Sequence, residues 1–101
     1  VTTTFRAPSL PNVPTMAEAG VPGFDISPWD AFFGPAKMDP KVVDKLNQAF
    51  VKAIKSKPMA ERFDKMGAVE KAGTPAQLND FVKAELVKYK EIVKTSGAKV
   101  D

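Results

Sequence analysis

Pro11-Asn12-Val13-Pro14-Thr15-Met16-Ala17-Glu18-Ala19-Gly20 decides how this chain is organised. Pro11 and Pro14 carry no backbone donor and fix φ, so the approach to Thr15 is an extended surface loop, continuous with Ala7 to Pro11. Thr15 followed three residues later by Glu18 has the spacing of a capping box, in which hydroxyl and carboxylate each accept a main-chain N–H. That spacing predicts one helical turn over Met16 to Ala19, ended by Gly20, after which Val21-Pro22-Gly23 turns the chain again.

Outward from this connector the chain changes character. On its amino-terminal side, Val1 to Thr4 is β-branched and predicts a strand that starts without a turn, as though cut from something longer. On its carboxy-terminal side, Phe24 to Phe33 holds Phe24, Ile26, Trp29, Phe32 and Phe33, and predicts extended structure interrupted at Pro28 and closed by Gly34-Pro35. Asp39 before Pro40 predicts a helix start, with Val43, Leu46, Phe50 and Ile54 at helical spacing to about Ser56. Pro58 opens a shorter helix with Met59, Phe63 and Met66 inward and Gly67 as its stop; Ala68 to Lys71 predicts a short strand. Thr74-Pro75-Ala76-Gln77 is a second capping box, and launches the longest helix with Leu78, Phe81, Val82, Leu86, Tyr89 and Val93 as its expected buried stripe. Gly97 ends it, and Ala98 to Asp101 is expected to be a last strand. The fold class this order implies is α/β, short strands followed by three helices.

Composition narrows the chemistry. The 101 residues carry a net charge of +3, with 15 basic and 12 acidic side chains interleaved along the chain and only Arg6 and Arg62 as arginines. Nucleic-acid recognition gathers cations, arginine above all, on one face, so the lysines are expected on solvated helix surfaces and no nucleic-acid partner is expected. With no Cys and no His, the usual zinc sites, thiol nucleophiles and histidine-based triads are excluded, and neither metal nor cofactor is expected. Glu61 and Asp64 share a helix face beside Arg62 and Lys65, with nothing to desolvate them. They make a solvated surface, not an acid–base pair, and the chain is not expected to be an enzyme.

The connector resembles the P-x-V-P-T-x-x-E-x-G signature of tripartite tricarboxylate transporter solute receptors, the Bug type. Gly23-Phe24-Asp25-Ile26-Ser27 with Trp29, then Phe33-Gly34-Pro35-Ala36, is similar to that family's G-F-x-x-x-x-W strand and F-x-P-A turn. Leu46-Asn47 with Ala49, Met66-Gly67-Ala68 and Thr74-Pro75 fall at matching places. The chain departs where the family reads P-A-G-T-P: Pro35-Ala36-Lys37-Met38-Asp39-Pro40 adds a lysine and lacks the glycine-threonine pair, while Asp39 keeps the helix start.

The resemblance implies the C-terminal part of a two-lobed, type II periplasmic-binding-protein-like fold. Residues 1–27 would be the end of the second lobe and the crossing between lobes, and residues 28–101 would complete the first. It implies a periplasmic receptor that captures a small carboxylate solute or a related metabolite for membrane permease subunits, with the rest of the cleft supplied by an N-terminal part of the parent chain. A severed lobe is expected to dimerise or swap strands to cover its apolar faces. The competing reading is a helical protein-interaction module without a small-molecule ligand.

Five residues are candidates for the solute. Thr2, Thr3 and Thr4 end a strand, where hydroxyls are placed to donate to a carboxylate, although threonine runs also form strands with no ligand. Arg6 has the fork that grips a carboxylate bidentately, or else packs on the proline loop. Trp29 either floors the cleft or fills the hinge core.

Overall fold

A computed structural model describes residues 1–99 of the chain. Among them are three helices, α1 (Pro40–Ile54), α2 (Lys57–Met66) and α3 (Pro75–Ser96), and α1 packs against both of the others. Each start follows from its first residues. The Asp39 carboxylate accepts from the Lys41 N–H at 2.8 Å, and Pro40 occupies the first turn, where its missing donor costs nothing. At α3 the Thr74 hydroxyl accepts from the Gln77 amide at 3.2 Å while the Gln77 side chain accepts from the Thr74 amide at 2.9 Å, closing the expected capping box. Gly67 and Gly97 end α2 and α3 in left-handed backbone at φ 66° and 68°, a conformation that a Cβ disfavours.

The capping box of the connector forms as its sequence dictates, but the approach to it is two tight turns and not an extended loop, with the Leu10 amide donating to the Ala7 carbonyl at 2.9 Å and the Val13 amide to the Leu10 carbonyl at 3.0 Å. The Thr15 amide donates to Glu18 Oε2 at 2.8 Å and the Glu18 amide to the Thr15 hydroxyl at 3.1 Å, capping the turn that ends at Gly20, φ 100°.

The strands do not form. No residue among those described lies in a strand: Val1 to Thr4 is irregular, with a bend beginning at Thr3, and Phe24 to Phe33 and Ala68 to Lys71 are irregular throughout. β-branched and aromatic composition indicates fit to a pleated surface; the ladder itself needs a neighbouring chain, and the described residues offer none. What remains is single bonds. The Met16 amide donates to the Val1 carbonyl at 3.0 Å and the Ile26 amide to the Thr2 carbonyl at 3.1 Å, which draws the N-terminal segment onto the connector and onto the start of the aromatic stretch. Ala98 and Lys99 have no regular structure, and the rest of the strand expected at Ala98 to Asp101 lies outside the described residues.

The helical stripes are shifted as well. Along α3 the half-buried or buried residues are Pro75, Leu78, Phe81, Val82, Glu85, Lys88, Tyr89 and Ile92, whereas Leu86 and Val93 face solvent. On α2, Met59 and Phe63 are half-buried and Met66 is exposed; on α1, Val43 and Ile54 are half-buried and Leu46 and Phe50 are exposed. These helices are apolar over a wide arc, so periodicity alone does not choose between adjacent stripes.

No hydrophobic side chain among the described residues is fully buried. The accessible surface is 8618 Å², against about 5,600 Å² for a closed monomer of this mass. The radius of gyration is 16.6 Å, where a compact chain of this length has about 13 Å. Phe32, Phe33, Leu86 and Val87 each keep more than 60% of their surface open. The helices therefore form an open platform with apolar faces on more than one side. No helix among the described residues is long and apolar enough to cross a membrane.

Candidate functional site

The best-organised side-chain cluster joins the aromatic stretch to α3. The Trp29 indole nitrogen donates to Glu85 Oε2 at 3.2 Å, and the indole meets the Phe81 ring edge-on, centroids 5.1 Å apart at 76°. One turn along the same face, Lys88 Nζ lies 2.5 Å from Glu85 Oε1 and donates to the Asp25 carbonyl at 3.1 Å. Glu85 is buried, with 9% of its surface open, and burial of a carboxylate is tolerated only with partners of this kind. Residues 81, 85 and 88 sit at i, i+4 and i+7, so a single helical face carries the ring, the acid and the base. The bonded, oppositely charged Glu85 holds the Lys88 ammonium above the usual lysine range. Lys71 Nζ lies 5.8 Å from the Phe81 centroid, placing a second cation beside the cluster.

Of the five sequence-derived candidates, only Trp29 belongs to this cluster. Thr2 meets its neighbourhood through the main chain, its carbonyl accepting from Ile26, three residues before Trp29. The Thr2 and Thr4 side chains stand on exposed residues, while the Thr3 hydroxyl donates to the Phe5 carbonyl at 2.5 Å and so has spent its proton locally. Arg6 is drawn to the connector: its Nε donates to both Glu18 oxygens, at 2.9 and 3.2 Å, and Nη1 donates to the Pro11 carbonyl at 3.0 Å. The hydrogen bond from Arg6, assisted by the Thr15 amide, holds the Glu18 carboxyl below its ordinary range.

Glu85 and Lys88 escape the sequence reading. A charged pair three residues apart on a helix is an ordinary surface motif, and nothing local reveals that an indole 56 positions away in sequence will cover it. The one available signal is that Glu85 falls on the arc defined by Leu78, Phe81, Val82 and Tyr89.

A second contact ties the aromatic stretch to α1, where Phe32 and Phe50 stack at 4.6 Å with planes 10° apart. Two shallow concavities lie on the helices, one lined by Lys41, Val42, Lys45, Leu46 and Ala49 of α1 and the other by Glu91, Ile92, Thr95 and Ser96 of α3. Neither includes a residue of the Trp29 cluster.

Residues 1–98 match the family described as tripartite tricarboxylate transporter family receptor, and the chain belongs to that family. It is 39% identical over 95 residues to protein BugT of Bordetella pertussis, a match that covers 94% of this chain and 29% of BugT. It is 36% identical over 94 residues to the UPF0065 protein in the tcbD-tcbE intergenic region of Pseudomonas sp., covering 92% of this chain and 28% of that protein. It is 35% identical over 100 residues to the UPF0065 protein in the TAR-I ttuE-ttuC' intergenic region of Agrobacterium vitis, covering 96% and 29%. The chain thus spans less than a third of the length of these curated relatives. No solved structure matches it.

Proposed function

We propose that this chain is the C-terminal part of an extracytoplasmic solute receptor that captures a small carboxylate or related metabolite in the periplasm and presents it to membrane permease subunits. The observation that carries the reading is the family match over residues 1–98. The open platform supports it: these helices leave apolar faces uncovered, as a part of a lobe does when the rest of the receptor packs on it.

In this reading residues 1–27 end the second lobe and make the crossing, residues 28–101 complete the first lobe, and the sheet of the type II binding-protein-like fold is supplied elsewhere in the receptor. The solute lies between the lobes, where the exposed Thr2 and Thr4 hydroxyls and the Trp29 ring face it. Arg6 retains N–H groups beyond the two that hold Glu18 and Pro11, and Thr3, its proton committed to Phe5, contributes as an acceptor for a solute hydroxyl or through a bridging water. Closure of the lobes about Ser27 to Trp29 buries the solute and creates the form that the permease recognises. The task is capture and delivery, not catalysis.

Calorimetric titration of the intact receptor with acetate, succinate and citrate tests this. Saturable binding of at least one is expected; no heat with any of the three overturns the carboxylate assignment.

A further inference from the structure

The indole N–H of Trp29 is committed to Glu85, and this limits what the ring can offer a solute. Trp29 nevertheless keeps 39% of its surface open, so the part left for a ligand is carbon, not the N–H donor. The commitment is itself braced. Lys88 neutralises Glu85 from the other oxygen and reaches the main chain at Asp25, four residues before Trp29, so the same helical face grips both ends of the segment from Asp25 to Trp29. Phe81, four residues before Glu85, stops the indole from tilting along the helix.

We propose that Glu85 and Lys88 are positioning residues that fix Trp29 with its N–H turned into α3, so that the ring face, against which the hydrocarbon part of the solute lies, is its contribution to the site. This rests on the receptor reading above and adds a residue set to it. An indole free to rotate would present its N–H to a carboxylate in some orientations and its face in others, and the binding energy would be spread over all of them. Fixing one orientation in the unliganded receptor removes that ordering cost from binding.

The experiment uses the intact receptor labelled with 5-fluorotryptophan, with the Trp29 fluorine signal assigned through Trp29→Phe. Succinate and citrate affinities are measured for wild type, Glu85→Ala, Glu85→Gln and the control Lys83→Ala. Glu85→Ala is expected to weaken solute binding about tenfold and to move or broaden the Trp29 signal. Glu85→Gln, which keeps an acceptor for the indole, is expected to restore most of the affinity, and Lys83→Ala to change neither. Should Glu85→Ala not fold, Glu85→Leu fills the same space and carries the same expectation. Wild-type affinity together with an unmoved fluorine signal in Glu85→Ala, or in Glu85→Leu where that variant replaces it, overturns the inference while leaving the receptor reading intact. A wild-type receptor that binds neither of these solutes, nor acetate, overturns the carboxylate assignment, and this inference with it.

Discussion

Trp29 and Glu85, 56 residues apart in sequence, are joined by an indole hydrogen bond of 3.2 Å, and around that bond the aromatic stretch is fastened to the longest helix. The acceptor is a buried carboxylate whose other oxygen is taken by Lys88 at 2.5 Å, so ring, acid and base stand or fall together.

Lys88→Met is expected to destabilise the receptor by about 2 kcal/mol, because it leaves the Glu85 carboxylate buried without its cation. The pH dependence has a definite sign. Glu85 raises the Lys88 pKa above its ordinary 10.5 in the folded chain, so the pair's contribution is fully present below that value and is lost as pH rises through the higher folded pKa. Thermal unfolding from pH 8 upward is therefore expected to show an alkaline fall in wild type that is reduced in Lys88→Met.

Arg6 and Glu18 predict the opposite limb. The Arg6 hydrogen bond lowers the Glu18 pKa, so the stabilising contribution is present above the unfolded value near 4.5 and is lost as pH falls through the lower folded pKa. The Thr15 amide, which donates to Glu18 Oε2, reports it directly. Its exchange protection is expected to fall on acidification in wild type and to be weaker and flatter with pH in Glu18→Ala.

Lys37 sits at φ 65°, left-handed backbone in a residue with a Cβ. This is the place where the related signature carries glycine-threonine and this chain does not. Lys37→Gly is expected to stabilise the receptor by up to about 1 kcal/mol, the relief of strain less the extra backbone entropy of glycine. A thermal melt that is unchanged or lowered would show that the turn is not strained.

Local chemistry explains what was legible in the sequence. Thr15 with Glu18, Asp39 with Pro40, Thr74 with Gln77, Gly67 and Gly97 each decide their own conformation within a few residues, and each formed the turn, cap or stop that its spacing implied. Val1 to Thr4 and Phe24 to Phe33 misled because a strand is a relation between two chain segments, and composition describes only one of them. The α3 stripe misled for a related reason: Leu86 and Val93 are as apolar as the residues that turned inward, and the choice was made by Trp29 docking on Phe81 and Glu85. Within the candidate site, Trp29 was visible through its place in the aromatic stretch and in the G-F-x-x-x-x-W resemblance, while its charged partners resembled ordinary surface residues.

Beneath the receptor reading is the claim that the open faces of α1 and α3 are built to be covered. The sequence contains no cysteine, so Leu46→Cys, on the exposed face of α1, is a clean probe of cover. The measurement is the rate of maleimide labelling at that thiol in the 101-residue chain and in the intact receptor, with any cysteines outside this sequence replaced. Labelling is expected to be rapid in the short chain at low concentration and at least about a hundredfold slower in the receptor, where reaction must await opening of the packed face. Equal rates in the two would contradict it.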